Sequence, residues 1–243
     1  MSKKIINQNT IHDSELLNSI GFSFIFDERA INRLKNTINI LKAENNVKEV
    51  NKEKELAELK VQINSIEDCS LKNNSHKIVL GDGNINSPIM LIGEAPGLAE
   101  DSTGLTFADE VGDLLKKMLI AINIKKVNIY STYAVNFRPP ENRKPTSVEI
   151  KRYSQFLQKH ISIIKPKIII LMGSTAMESL TGLNSNISIE RGKWKEVIVK
   201  NTNYNVIITF NPSYLLRVPE NKKYSWEDLK KIKQKIVDLN LGI

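Results

Sequence analysis

The sequence predicts an α/β fold of three layers: a central, mostly parallel four-stranded sheet between two layers of helix, preceded by an N-terminal helical extension. Three observations lead there. From about residue 76, apolar runs of strand length alternate with amphipathic segments of helix length, the pattern of a parallel sheet covered on both faces. The run at 167–172 is apolar without alternation after its lysine, as a strand buried on both faces requires. The first seventy residues have a different texture, charged and helical in period, and read as an appendage.

In chain order, residues 1–65 form the charged helical extension and residues 66–243 the α/β domain. Residues 14–20 suit a short helix with Gly21 as its stop. From 27 to 63 the period is helical, with Ile31, Leu34, Ile38 and Leu41 at i, i+3, i+7 and i+10, and Asn45-Asn46 interrupts it. One apolar stripe of this kind describes a solvated helix or helical hairpin; the heptads are too few for a coiled coil. In the domain, 77–80 and 88–92 read as strands, separated by the turn Gly81-Asp82-Gly83-Asn84. Residues 111–122 read as a helix whose apolar face carries Leu114, Leu115, Met118 and Leu119. A strand over 127–135, a helix over 148–164 and the buried strand 167–172 follow. Gly173-Ser174-Thr175 then opens a short helix to Leu180. Residues 194–199 and 205–210 are strand-like, and 224–239 closes the chain as a helix.

The 243 residues suffice for one α/β domain with an appendage. No apolar stretch approaches the length of a bilayer span, and the polar opening MSKKIINQNT is unlike a signal peptide. A single cysteine, Cys69, excludes an internal disulfide and fits a reducing cytoplasm, where a monomer is expected. Charge is distributed unevenly. Residues 1–70 hold 10 Lys/Arg and 11 Asp/Glu, whereas residues 71–243 hold 25 and 16, so the net +8 belongs to the α/β domain. A basic domain favours a polyanionic partner such as nucleic acid.

The richest motif is GEAPGLAED, residues 93–101, which follows the apolar run 88–92. A strand-end loop with two glycines and a proline can bring backbone N–H groups and one carboxylate, Glu94, against a small planar ligand. Glu100 and Asp101 read as acceptors for backbone amides rather than as a second catalytic pair. Two further loops follow strands: Phe137-Arg138-Pro139-Pro140, and Asn211-Pro212-Ser213. Ligands of parallel α/β sheets sit beyond the carboxyl ends of the strands, so the three loops should converge on one crevice.

These loops, with Gly104-Leu105-Thr106-Phe107, Arg191-Gly192-Lys193-Trp194 and the run Asn211 to Arg217, resemble the family 4 uracil-DNA glycosylases, in the family's order from about Cys69 to the C-terminus. The resemblance implies a DNA base-excision repair hydrolase that flips a uracil or other deaminated base out of the helix and cleaves its N-glycosidic bond. It makes Glu94 the carboxylate that stabilises positive charge on the sugar and positions water. Ala95 becomes a backbone contact to the base and Phe107 its stacking platform, while Asn142 lies in the site. Arg138, Arg143, Lys144 and Ser213 become phosphate contacts. The segment Pro212–Arg217, with Tyr214 and Arg217, becomes a loop wedged into the duplex, where Leu215 or Leu216 fills the vacated stack.

The chain departs from that family in four respects. Family members hold an iron–sulfur cluster on four cysteines; the matching positions read Ile66, Cys69, Phe137 and Tyr153, so no cluster and no other cofactor is expected. Asn211 stands where the family usually has a histidine that donates to the base oxygen, a donor worth about 3–4 kcal/mol if lost outright; an asparagine amide can still donate, and Asn-Pro-Ser is similar to the loop of mismatch-specific uracil/thymine glycosylases. Tyr133 stands where the family has an asparagine pairing with the uracil edge, which alters the substrate range or partly fills the pocket. The basic insertion with a reactive histidine that DNA-crosslinking relatives carry has no counterpart, so covalent capture of DNA is not expected. His12, His76 and His160 lie outside the motif loops and read as solvated or structural. The leading expectation is a cluster-free monofunctional DNA glycosylase; the alternative is a catalytically weakened DNA-binding or damage-recognition protein on the same scaffold. A nucleotide-binding protein unrelated to DNA is disfavoured, since neither a phosphate-binding Gly-Lys-Ser/Thr loop nor a dinucleotide fingerprint is present.

Overall fold

A computed structural model of the chain describes residues 51–242. The helices expected before residue 51 lie outside the described residues. Helix α1 (51–64) opens the described chain. Its Leu56, Leu59 and Ile63, spaced to share one face, join the same apolar core as Leu157, Ile161 and Ile164. Lys159 Nζ donates to Gln62 Oε1 at 2.8 Å and Lys52 Nζ to the Ile164 carbonyl at 3.1 Å. Residues 51–64, assigned from sequence to the extension, thus contribute to the domain core.

The elements that follow are α2 (Ser70–Asn73), β1 (Asp82–Gly83), β2 (Ile89–Gly93), α3 (Leu98–Thr103), α4 (Asp109–Ala121) and β3 (Tyr130–Tyr133). Then come α5 (Ser147–Ile164), β4 (Ile168–Met172), α6 (Ser174–Thr181), α7 (Ile187–Glu190), β5 (Trp194–Val199), β6 (Thr202–Thr209), α8 (Pro212–Arg217) and α9 (Lys222–Asp238). The sheet order is β1-β3-β2-β4-β6-β5. The middle four strands are mutually parallel, as expected, and β1 and β5 add antiparallel edges.

Alternation within the strands builds the two half-cores. Met90, Ile92, Ile169, Leu171, Val206 and Ile208 face α1, α5 and α6. Ile89, Leu91, Ile168, Ile170 and Ile207 face α4 and α9. β2 and β4 are buried at every position, which is why their sequences lack polar alternation. Helix α5 starts where Thr146 and Glu149 close a reciprocal cap: Glu149 N–H donates to Thr146 Oγ1 at 3.3 Å and Thr146 N–H to Glu149 Oε2 at 2.7 Å.

Three sequence expectations need correction. Residues 77–80 are not a strand; the edge strand is the short β1, because Val79 N–H bonds the Asn136 carbonyl beyond the end of β3 (2.9 Å) instead of joining the ladder. The expected strand over 127–135 narrows to Tyr130–Tyr133, since Lys126–Asn128 is a 3₁₀ turn. Pro212–Arg217 is a helix rather than a loop: proline at its first turn and the Asn211 side chain accepting from Ser213 N–H are both N-terminal helix signals.

Candidate active site

Strand register places the chemistry. Gly93 pairs with Tyr133, and Met172 with Thr209, so the carboxyl ends of the four parallel strands align. The loops leaving them begin with Glu94, Ala134, Gly173 and Phe210-Asn211. Those after β2, β3 and β6 enclose a cleft of about 300 Å³ lined by Glu94, Ala95, Phe107, Glu100, Tyr133, Asn142, Arg143, Lys144, Asn211, Ser213 and Arg217. Three sequence-distant loops meet there, as the strand-end rule predicts.

Glu94 and Asn211 meet over Gly173. An ideal Cβ built on that glycine would stand 3.3 Å from Asn211 Cβ, 3.7 Å from Asn211 Nδ2 and 3.5 Å from Glu94 Oε2. Gly173 also has φ +102°, so the position favours glycine on two counts. Among the described residues the Glu94 carboxylate accepts no hydrogen bond, which leaves it to face whatever enters the cleft. Asn211 Oδ1 accepts from Ser213 N–H at 3.1 Å. That bond assigns the amide orientation and leaves Nδ2, a donor, without a hydrogen bond among the described residues, on a side chain that lines the cleft.

The opposite wall is aromatic. Phe107 and Tyr133 stand with ring centroids 5.2 Å apart, tilted by 41°. Both pack over Gly93, where a Cβ would lie 2.7 Å from the Tyr133 ring and 2.9 Å from Phe107 Cζ; a side chain there would close the wall. Phe107 has φ +50°, a left-handed backbone that costs on the order of 1–3 kcal/mol in a non-glycine residue. Its N–H is held by Tyr133 Oη at 2.8 Å, and the Tyr133 hydroxyl donates to Glu100 Oε1 at 3.3 Å. Glu100 accepts from Gly97 N–H (2.9 Å) and Ala108 N–H (3.0 Å) as well. Burial first, then the Glu100 charge, pushes the Tyr133 phenol well above its ordinary pKa, so it stays protonated. With one hydrogen bond given and one received inside the wall, Tyr133 offers a ligand its shape.

Asp101 holds a different loop. It accepts from His76 N–H (2.8 Å) and Lys77 N–H (3.2 Å), and pairs with the Ser75 hydroxyl and His76 Nδ1. Ser75 Oγ in turn accepts from Arg138 N–H at 3.3 Å, which ties the GEAPGLAED carboxylate to the start of the Arg-Pro-Pro loop.

The basic rim is partly committed. Arg138 donates from Nε to Asn142 Oδ1 at 2.8 Å and so orients Asn142, which has φ +55°. Arg143 closes a two-pronged pair with Glu149 (2.9 and 2.7 Å) and holds that carboxylate down to about 2. Lys144 Nζ lies 3.4 Å from Ser174 Oγ. Arg217 is exposed at the mouth. In α8, Leu215 is 1% exposed and belongs to the core, so of the leucine pair only Leu216 reaches the surface. Tyr214 packs its ring against Phe210 at 5.1 Å and accepts from Asn221 Nδ2 at 2.7 Å.

Ile66, Cys69, Phe137 and Tyr153 also come together, away from the cleft. Cys69 Sγ lies 3.3 Å from Tyr153 Oη, Phe137 meets Tyr153 edge-on at 6.5 Å, and all four belong to one apolar core. Burial, then Cys69, keeps the Tyr153 phenol protonated. One thiol, one phenol, a phenyl and an isoleucine do not fit a cluster that needs four thiolates, and among the described residues no group of three or more His, Cys, Asp or Glu could hold a metal ion.

Sequence reading did not assign Glu100 to the cleft wall, nor Gly173 to the junction of Glu94 and Asn211. Gly173 carried a signal, a glycine between a buried strand and a helix; the role of Glu100 depends on Tyr133, 33 residues away.

Comparison with known proteins places the chain among relatives by sequence. The sequence profile of the Uracil DNA glycosylase superfamily matches residues 80–232. A type-4 uracil-DNA glycosylase of Thermotoga maritima is 36% identical over 168 residues, covering 68% of this chain and 86% of the relative. Those of Archaeoglobus fulgidus (32% over 175 residues, 70% of this chain, 88% of the relative) and Sulfurisphaera tokodaii (35% over 187 residues, 74% and 84%) are also similar.

Proposed function

Because the chain belongs to the uracil-DNA glycosylase superfamily, we propose that it is a monofunctional DNA repair glycosylase that removes uracil or another deaminated base without an iron–sulfur cluster. The observation that carries the reading is the meeting over Gly173 of Glu94, whose carboxylate accepts no hydrogen bond among the described residues, and the oriented amide of Asn211. Cleavage of the bond between base and deoxyribose builds positive charge on the sugar and negative charge on the departing base. Glu94 is placed to stabilise the first and to hold the attacking water, and Asn211 Nδ2 to donate to the second. Phe107 and Tyr133 give the flipped base an apolar wall. Lys144, Ser213 and Arg217 supply cations and donors for the backbone phosphates, and Leu216 is the apolar group that can enter the vacated stack. Arg143 acts in this scheme through the loop it braces. No step involves a metal, and packing of Ile66, Phe137 and Tyr153 around Cys69 takes over the structural task of a cluster. The protein acts as a monomer.

Base release from duplex and single-stranded oligonucleotides bearing uracil, hypoxanthine, xanthine or ethenocytosine tests the proposal. Glu94→Gln should lower the single-turnover rate on the order of 100-fold. Since Glu94 has no partner among the described residues, its thermal midpoint should stay unchanged. Full activity in Glu94→Gln would overturn the mechanism.

The Tyr133 geometry favours a second reading, a damage-recognition protein with weak catalysis. With its hydroxyl bound to Glu100 and Phe107 N–H, Tyr133 reads no base edge. Salt-sensitive DNA binding with no base release from any substrate in the panel would select that reading.

A further inference from the structure

Asn211 is short and sits at a strand end, so its placement depends on what holds β6 there. Thr209, two residues before it, is fixed twice: its carbonyl accepts from Gly173 N–H at 2.9 Å, and its hydroxyl donates to Asp228 Oδ2 at 2.8 Å. The Asp228 side chain is fully buried and is clasped by the Arg191 fork, through Nε to Oδ2 at 2.9 Å and through the second nitrogen to Oδ1. The same guanidinium bonds the Tyr224 carbonyl and lies over the rings of Phe210 (5.6 Å) and Tyr224 (5.3 Å). Gly192 admits this arrangement, since at its φ of +69° a Cβ would run into Asp228 Oδ1. Its N–H adds a bond to the Ile208 carbonyl at 2.8 Å. Thr209 and Phe210 are therefore both held by one ion pair, fully buried at Asp228 and 15% exposed at Arg191, between the Arg191-Gly192 corner and α9.

We infer that Arg191 and Asp228 are positioning residues for Asn211: through Thr209 and Phe210 they hold the amide donor over Gly173, at the angle that Ser213 N–H then completes. The pair lies behind the cleft and is not among the residues that line it. A buried pair that served stability alone would be replaceable by packed apolar groups at little cost; here the fork also sets the end of β6, where a displacement of about 1 Å can cost catalysis about 100-fold. The inference rests on the proposed role of Asn211.

The test separates the two. Thr209→Val removes the hydroxyl bond to Asp228 while keeping shape, Thr209→Ser keeps the bond, and Arg191→Lys keeps charge but not the fork. All are assayed well below their thermal midpoints, with folding checked by circular dichroism. Single-turnover release of uracil should fall about 10-fold or more in Thr209→Val and Arg191→Lys, with abasic-DNA affinity within about twofold of wild type, and should be retained in Thr209→Ser. Combined with Asn211→Ala, neither substitution should lower the rate further, because both act through the side chain already removed. Losses that multiply in the double variants, or a wild-type rate in Thr209→Val, overturn the inference. A wild-type rate in Asn211→Ala instead overturns the role of Asn211 and the inference with it. Hydrogen exchange reads the positioning independently of activity: Ser213 N–H should exchange at least about tenfold faster in Thr209→Val, while the Ile169 and Ile170 amides of β4 keep their rates. Unchanged exchange at Ser213 also overturns it.

Discussion

The hydroxyl of Tyr133 lies between a carboxylate that it donates to and an amide that it accepts from, so phenylalanine there would strand the buried Phe107 N–H and remove one of the three donors that Glu100 accepts from. Tyr133→Phe should lower unfolding free energy by about 1–3 kcal/mol in urea titrations, more than loss of a solvated hydroxyl would. The same bonds explain why Tyr133 could not be read from sequence. A tyrosine in place of an asparagine announces bulk, but whether its hydroxyl faces a ligand or the wall depends on Glu100 and Phe107, which arrive from another loop. Asn211 is the converse case. Its capping of α8 follows from Asn-Pro-Ser, and the cap in turn engages Oδ1 and leaves the donor end of the amide over.

Helix α8 divides its two leucines. Leu215 points into the core with Met118 and Leu229, while Leu216 stays at the surface. Leu215→Ala should destabilise by about 2–5 kcal/mol, measured by chemical denaturation, as for other buried leucines. Leu216→Ala should leave stability within about 0.5 kcal/mol and instead weaken binding to duplex DNA, measured by fluorescence anisotropy. The sequence left the choice between them open because a helix start and a wedge loop share the same composition; the 100° step of a helix decides it. Other elements were legible for plain reasons. The apolar runs of β2 and β4 have no alternative to burial, and Thr146 with Glu149 spells a helix start. The strand at 77–80 was misplaced because Val79 is fully buried like a strand residue, yet it bonds the chain beyond β3.

Across the whole molecule, pH dependence should centre on His160. It is buried on α5, bonded to Tyr130 Oη at 2.9 Å, and burial lowers its pKa to about 3. Its folded pKa is depressed below the unfolded value of about 6.5, so the native state disfavours the protonated form. Stability from this group is complete above about pH 6.5 and falls by about 1.4 kcal/mol per unit as pH drops toward 3. Unfolding titrations of wild type and His160→Gln should show that slope in the first and its removal in the second, after the shared carboxylate contribution is subtracted. A chelator should change neither the thermal midpoint nor base release, and purified protein should carry no stoichiometric iron. The sequence alone determined the alternation of strand and helix, the basic character of the domain, the loops that meet and the absence of four cysteines, because each follows from local pattern or count. Only the tertiary structure decided that Glu94 and Asn211 share the space over Gly173, that Tyr133 turns its hydroxyl into the wall, and that a buried Arg191–Asp228 pair stands behind Asn211. Those contacts join residues from 26 to 79 positions apart, and no local propensity encodes them.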